Sequence, residues 1–253
     1  SRRPKRFLLI FGAVPTKVLK DKVEGVQLVL LAIGRLIWRH QRATVGFGEA
    51  YSVSPSGIYV PLDSSIKRPE DLANVPITVG YQSGSHYSTI QALEAFLPRD
   101  QIKLHFGGML FQRLELLVDG EVPAGNAFGG PLYLLEQLGF RKIIDTTFMV
   151  AALVEEDVDP ADVRKCYRAL KRAQADIDLR PELYTHYYKN IFPDRFHEIM
   201  DTRTFGPGER IVFQPYSKEM FEVTHKWVED WEIFPEGKGG TAAYEESVVV
   251  SDL

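Results

Sequence analysis

The sequence predicts an α/β protein, because strand, turn and helix signals alternate along it. Short apolar runs of strand length are followed by glycine-bearing turns, and these turns are followed by amphipathic stretches of helix length. This order is typical of parallel strands joined by crossover helices. A chain of 253 residues with 45% hydrophobic residues can bury a large core, as one compact unit or as two modest lobes.

The first part of the chain predicts strands with little helix between them. We expect strands at residues 7–11, 26–31 and 57–61, a turn at residues 12–16, a helix at residues 34–42 and a short helix that begins near residue 68. A further short strand begins at Thr44 and enters a glycine-containing turn, which would place Phe47, Glu49 and Tyr51 in a loop.

The middle of the chain is its most regular part, with three successive units of strand, glycine turn and helix. The predicted strands cover residues 77–81, 103–106, 142–144 and 148–154, and the predicted helices cover residues 87–96, 109–119 and 131–138. Residues 125–130 are expected to form a turn, with Pro131 in the first turn of the helix that follows.

The last third is mostly helical in pattern. A long helix is expected to begin at a cap-like Asp159, followed by short helices at residues 181–189 and 194–200 and a serine-capped helix at residues 217–231. We expect part of the segment from Gly237 onward to be loosely ordered.

Charge and composition make several function classes improbable. The chain carries 30 basic and 34 acidic residues, a formal charge of -4, and no basic stripe interleaved with aromatic residues, so nucleic acid is not expected as a partner. No apolar run approaches the roughly 20 residues of a membrane span. The basic and apolar start imitates a signal peptide without a small-residue cleavage site, and it is interpreted as a buried first strand. Cys166 lies in a helical pattern and is expected to be structural.

No cofactor or metal is predicted. The six histidines have no cysteine or carboxylate at the spacing of a zinc helix motif. The chain around Ser83 lacks the glycine-lysine pair of a Walker loop, the three spaced glycines of a dinucleotide fingerprint and the nucleophile elbow of a hydrolase.

The turn at residues 81–86 is the strongest candidate site. It joins a predicted strand to a predicted helix, so its backbone N–H groups and the hydroxyls of Ser83 and Ser85 should converge at a helix N-terminus, beside Gly84. An oxyanion would be favoured there by the helix dipole. Either serine could instead only cap the helix. His86 could donate to a ligand, carry a proton, or serve as a capping or surface residue.

Two other turns are expected at the same edge of the predicted sheet, where open α/β sheets form ligand crevices. Asn126 could offer its amide to a ligand, and Phe128 could offer a flat apolar wall. Glycines in these turns could serve backbone geometry alone. Glu49 is either the partner of a ligand cation or a solvated carboxylate.

The segment from Arg68 to Tyr87, with its proline-x-aspartate-leucine start, strand and glycine-serine turn, resembles a segment of type II periplasmic substrate-binding proteins of ABC transporters. The resemblance is to the NMT1/THI5-like branch, which includes nitrate, taurine and alkanesulfonate binders. It implies a discontinuous first lobe at residues 1–75 and 149–253, a second lobe at residues 76–148, and a ligand cleft between the lobes that closes by a hinge.

The resemblance also implies site residues and partners. In the first lobe, Phe11, Thr16, Glu49 and Tyr51 would face the cleft. The expected partners are a small organic anion and an ABC permease, for a monomer in the periplasm; the cytoplasm is the alternative location. The same fold also carries enzymes, and in that alternative His86 and Glu49 would transfer protons on an aromatic or heterocyclic acid.

Overall fold

A computed structural model describes residues 8–10, 27–32, 44–155, 159–232 and 243–249 of the chain. The chain divides into two compact units. The first unit comprises Ser1–Ser52, Met149–Arg172 and Ile211–Leu253, and the second comprises Val53–Phe148 and Ala173–Arg210. The turn predicted at residues 12–16 and the helix predicted at residues 34–42 lie outside the described residues.

Strands and helices alternate through the described residues, as the sequence predicts. The strands are β1 Leu8–Ile10, β2 Gln27–Ala32, β3 Thr44–Ser54, β4 Ser56–Val60, β5 Pro76–Val79, β6 Lys103–Phe106, β7 Ala124–Phe128, β8 Arg141–Asp145, β9 Phe148–Glu155, β10 Arg210–Val212 and β11 Val248–Val249. The α-helices are α1 Gly84–Leu93, α2 Leu110–Val118, α3 Gly130–Gln137, α4 Pro160–Leu179, α5 Lys218–Asp230 and α6 Tyr244–Ser247.

The first unit is built around a mixed sheet. Its strands follow the order β1-β2-β9-β3-β10, and β11 pairs with β3. β1 and β2 are parallel, whereas β2 and β9 are antiparallel. A core cluster of Ala151, Tyr216, Phe221, Val228 and Val248 holds α5 against this unit.

The start of α5 confirms a sequence prediction. The hydroxyl oxygen of Ser217 accepts a hydrogen bond from the backbone N–H of Met220 at 3.2 Å, so serine caps the helix.

None of the helices in the described residues combines the length and apolarity that a membrane span requires.

The predicted loop around Glu49 is wrong, because Phe47, Glu49 and Tyr51 lie within the continuous strand β3. Gly46 and Phe47 pair in register with β11, and β3 lies between β9 and β10. Neighbours on both sides supply the hydrogen bonds that keep a strand extended, so the glycines do not end it.

The second unit contains a five-stranded sheet in the order β6-β5-β7-β4-β8. β5 is parallel to both β6 and β7, and β4 is antiparallel to β7 and β8. Helices α1, α2 and α3 follow β5, β6 and β7 respectively. Since the carboxyl ends of parallel strands share one edge of a sheet, all three helices begin at that edge, which we call the carboxyl edge.

The turn predicted at residues 125–130 is also wrong in part, because Ala124–Phe128 forms strand β7. Four of the five residues of β7 are buried, and β7 lies between β5 and β4. Its small residues suit a close-packed interior strand, even though alanine, glycine and asparagine favour strands little.

The two units differ from the predicted lobe boundaries in two places. Residues 53–75 belong to the second unit, because β4 is hydrogen-bonded between β7 and β8. Residues 173–210 belong to it as well, because their apolar side chains pack into its core beside Leu132 and Leu135. The packed side chains are those of Phe192, Phe196, Met200 and Phe205.

The segment that follows α4 is 3₁₀-helical, where the sequence predicts short helices. It contains the turns Pro181–Leu183, Thr185–Asn190 and Asp194–Phe196.

Within α4, burial raises the pKa of the Cys166 thiol, so this cysteine is a poor nucleophile at neutral pH.

Candidate functional site

The turn between β5 and α1 is held by its own serine hydroxyls. Ser83 Oγ donates to the carbonyl of Gly80 at 2.7 Å, and Ser85 Oγ accepts from the Gly80 N–H at 3.0 Å. The two hydroxyl oxygens are 2.8 Å apart. Because Ser83 has already donated its single hydroxyl hydrogen, Ser85 donates to Ser83. Both hydroxyls therefore shape the turn and have no hydrogen left for a ligand.

The N-terminus of α1 begins without a side-chain cap. Ser83 occupies the cap position, but its side chain makes no capping hydrogen bond. The first two helical residues, Gly84 and Ser85, are buried, and N–H groups at these helix positions have no partner within the helix. A buried, uncapped helix start carries a partial positive charge and suits an anion.

Arg113 lies next to this turn and was not among the predicted site residues. It belongs to α2 and is only 4% exposed. Its Nη1 donates to Ser85 Oγ at 3.2 Å and to the carbonyl of Asn126 at 3.1 Å. The buried Nε has no hydrogen-bond partner among the described residues, and no carboxylate in that part of the chain pairs with Arg113.

Arg113 remains charged at neutral pH despite its burial. Burial lowers the pKa of the guanidinium to about 10, about three units above physiological pH. Burying a charge removes its hydration, at a cost of several kcal/mol. Attraction to a paired ion of opposite charge would recover free energy of the same order. The Phe128 ring, 5.8 Å from the guanidinium carbon, offsets only part of that cost. Within the described ranges, the site therefore presents a buried positive charge without a carboxylate partner, beside the uncapped start of α1.

The His86 ring is neutral and is held by the backbone N–H of Gln82. The N–H of Gln82 donates to His86 Nδ1 at 3.2 Å, and Gln82 adopts a left-handed conformation with φ of 48°. Because Nδ1 is an acceptor, the neutral ring carries its hydrogen on Nε2. Burial lowers the pKa of His86 to about 4. At neutral pH the ring can donate a hydrogen bond through Nε2 and offers no unoccupied basic nitrogen.

Asn126 lies at the centre of a buried polar network below the turn. Its Nδ2 donates to Thr89 Oγ1 at 3.0 Å and to Thr146 Oγ1 at 2.9 Å. Its Oδ1 accepts from Ser56 Oγ at 3.0 Å. Both amide hydrogens are used within the protein, so the side chain that the sequence assigns to ligand contact ties β7 to its neighbours.

Phe128 and Phe148 form an aromatic wall on one side of the turn. Their ring centroids are 5.5 Å apart in an edge-to-face arrangement. A β-carbon built on Gly84 would overlap Phe148, with ring atom Cδ2 at 2.6 Å, so glycine is required for this close approach. The wall thus covers the start of α1 on the β7 side.

No described contact links the other predicted site residues to this turn. Glu49 and Tyr51 lie in β3 of the first unit, where Tyr51 packs against the core cluster of that unit. Phe11 and Thr16 lie outside the described residues. Across the described ranges, no group of three or more histidine, cysteine or acidic side chains is placed to hold a metal ion.

One sequence signal could have identified Arg113. Residues three or four apart share a helix face, so Arg113 shares a face with Leu110 and Leu117, which belong to the apolar stripe of α2. A charged residue within an apolar stripe is either paired or functional, because burying it alone is costly.

No family model matches the sequence, and no curated protein matches it either. Solved structures do match, and the three described below share 14–17% sequence identity with this chain. The alkanesulfonate-binding protein SsuA of Xanthomonas axonopodis pv. citri, bound to MOPS, is 17% identical with a TM-score of 0.65; the match covers 88% of this chain and 80% of that one.

Two further structures give the same result. A putative periplasmic sulfonate-binding protein SsuA of Methylobacillus flagellatus KT is 14% identical with a TM-score of 0.59, over 88% of this chain and 72% of that one. The periplasmic aliphatic sulphonate binding protein SsuA of Escherichia coli is 14% identical with a TM-score of 0.58, over 83% and 76%. This chain therefore has the mixed α/β fold of type II periplasmic binding proteins, with two sheets flanked by helices.

Proposed function

We propose that this protein binds a small organic anion at the carboxyl edge of its second unit, as the solute-binding component of an ABC-type transporter. The observation that carries the proposal is Arg113, a buried guanidinium with no carboxylate partner among the described residues. A negatively charged group beside it would supply the missing counter-charge, and the amides of Gly84 and Ser85 would supply hydrogen bonds.

A binding role suits the chemistry of the turn better than catalysis does. The hydroxyls of Ser83 and Ser85 are consumed inside the turn, and His86 has its Nδ1 occupied. In the part of the chain that the structure describes, neither hydroxyl is hydrogen-bonded to a carboxylate or to a histidine nitrogen, and an activated nucleophile requires such a base. Fixed donors around a buried cation can bind and orient an anion without a nucleophile.

The fold supports the transport role and the expected location. The similar structures from Methylobacillus flagellatus KT and Escherichia coli are described as periplasmic sulfonate-binding proteins. We accordingly propose a periplasmic monomer that delivers its ligand to a permease. Placement in the NMT1/THI5-like branch is part of this proposal and rests on the segment from Arg68 to Tyr87. Adjacent genes for a permease and an ATPase would support the transport role.

A ligand screen with matched variants tests the proposal. Melting temperature is measured with MOPS, taurine, methanesulfonate, benzenesulfonate and benzoate, and with glycerol as a neutral control. A ligand at 100 times its Kd adds about 2.7 kcal/mol to the free energy of unfolding. We expect at least one anion to raise the melting temperature of the wild type.

The variants Arg113→Met and Arg113→Lys identify the site. Met removes the charge, and Lys keeps the charge but loses the planar fork. We expect the ligand-induced shift to vanish in the first, to shrink in the second, and to persist in Arg172→Met, which removes an exposed arginine of the first unit. If no anion shifts the wild type, or if Arg113→Met responds like the wild type, the proposal is wrong.

A further inference from the structure

A second aromatic group lies at the carboxyl edge, on the β6 side of the turn. We call Tyr81, His86 and Phe106 the outer ring group. The rings of Tyr81 and Phe106 meet edge to face with centroids 5.1 Å apart. The His86 ring lies 5.1 Å from Phe106 and 6.1 Å from Tyr81. The three residues thus form one continuous aromatic surface.

Two of the three side chains, those of Tyr81 and Phe106, are open to solvent, whereas His86 is buried beneath them. Tyr81 is 58% exposed and Phe106 is 48% exposed, although both rings are large and touch each other. Single exposed apolar residues are ordinary in proteins, but exposed rings in contact with each other more often mark a place where something binds. Tyr81 lies two residues after the end of β5, and Phe106 ends β6, so both belong to the edge where α1 begins.

Tyr81 and His86 of the outer ring group lie in the same turn as the amides of Gly84 and Ser85. The backbone N–H of His86 donates to the carbonyl of Ser83 at 3.0 Å, and its ring is fixed by the N–H of Gln82. Two residues separate Tyr81 from Gly84, whose amide lies at the uncapped start of α1. A ligand held by Arg113 and these amides would have its organic part within reach of these rings.

We infer that the ligand is an aromatic anion, whose charged group binds at Arg113 and whose ring packs against Tyr81 and Phe106. This inference rests on the proposed function and specifies its substrate class. An edge-to-face pair presents both a ring face and a ring edge, and a third aromatic ring gains from both. A saturated ring of equal size gains only from the buried area.

The test compares two ligands of similar size, charge and shape. Benzenesulfonate and cyclohexanesulfonate carry the same anionic group and differ in the character of the ring. Their Kd values for the wild-type protein are measured by isothermal titration calorimetry. We expect benzenesulfonate to bind roughly tenfold more tightly, as aromatic pairing energies imply.

Variants locate the preference. Phe106→Leu and Tyr81→Leu keep apolar bulk and remove the ring, so each should reduce the tenfold preference to less than about threefold. The Kd of cyclohexanesulfonate should change by less than about threefold in both. Tyr187→Leu removes another exposed aromatic ring of the second unit and should keep the full preference.

The outcomes separate this inference from the proposed function. Equal affinity of the wild type for the two sulfonates, with binding lost in Arg113→Met, would overturn the aromatic assignment and leave anion binding intact. An undiminished preference in both leucine variants would also overturn it. If neither sulfonate nor any other anion of the screen binds, the proposed function and this inference fail together.

Discussion

Arg113 on α2 donates a hydrogen bond through Nη1 to Ser85 Oγ on α1, at a distance of 3.2 Å. The same oxygen accepts from the N–H of Gly80. Ser85 thus links the end of β5 to the buried charge, and it holds that charge beside the uncapped start of α1.

Ser85→Ala should therefore destabilise the protein and weaken anion binding. It removes an oxygen that accepts from two buried donors, the Gly80 N–H and Arg113 Nη1, at a cost of about 1–3 kcal/mol in the free energy of unfolding. Ser88→Ala in the same helix is the matched control, because the buried Ser88 hydroxyl has no hydrogen-bond partner in the described structure. Urea unfolding of the two variants measures the difference. Equal stability of both would contradict the role of Ser85.

Gly84→Ala should be destabilising even though alanine favours helices. Its methyl group would displace the Phe148 ring, and overpacking of this kind costs typically 1–3 kcal/mol. Phe148→Leu should relieve the clash, so the double variant should lose less stability than the sum of the single variants. A double-mutant cycle by urea unfolding measures this coupling. Strict additivity would show that the ring does not rest on Gly84.

Asn126→Ala should act on stability, because the Asn126 amide is fully used inside the second unit. The change leaves buried hydroxyl groups of Ser56, Thr89 and Thr146 with fewer partners, for a loss of about 2–4 kcal/mol in the free energy of unfolding. Asn190→Ala, at an exposed position, should change stability by less than about 0.5 kcal/mol. A loss of binding in Asn126→Ala without a loss of stability would show instead that the amide contacts the ligand.

The protein should lose stability as the pH falls below 6.5, because burial keeps His86 from being protonated in the folded state. The pKa of His86 is about 4 in the folded protein, whereas its ordinary value, taken for the unfolded chain, is 6.5. Between pH 4 and pH 6.5 the unfolded chain therefore binds more protons than the folded protein. Stability from this group is therefore complete above pH 6.5 and is lost as the pH falls toward 4. At about 1.36 kcal/mol per pKa unit, the loss is on the order of 3 kcal/mol.

His86→Asn isolates this effect, because the asparagine side chain can still accept from the N–H of Gln82. The variant should have a shallower loss of stability between pH 6.5 and pH 4 than the wild type, measured by urea unfolding across that range. His105→Asn, at an exposed position on β6, should follow the wild-type curve. Parallel curves for His86→Asn and the wild type would refute the buried neutral ring.

The sequence predicts the fold well where glycine and proline delimit its elements. Helix α3 begins one residue before Pro131 and ends one residue before the predicted Leu138. Helix α1 begins three residues earlier than predicted, at Gly84, because glycine, serine and histidine are weak helix formers and give no local helix signal. Its start is fixed by the serine hydroxyls and the packing of Phe148, which local composition does not encode.

The candidate site is predictable only in part, for a similar reason. The glycine-serine turn is visible in the sequence, and the structure places Ser83, Gly84, Ser85 and His86 together there. Asn126 was assigned to a turn because β7 lacks the branched and aromatic residues that indicate strands. Arg113 was missed because its importance depends on contacts with Ser85 and Asn126, which are 28 and 13 residues away in sequence.

Nuclear magnetic resonance of arginine side chains tests most directly whether Arg113 binds the anion. The Nε–H resonance of Arg113 is identified in ¹⁵N-labelled protein by its absence from Arg113→Lys, and it is followed as benzenesulfonate is added. Because this buried donor has no partner among the described residues, a bound anion should shift its resonance in proportion to occupancy, with the Kd that calorimetry gives. Saturation by the ligand with an unmoved Arg113 resonance would contradict anion binding at this guanidinium.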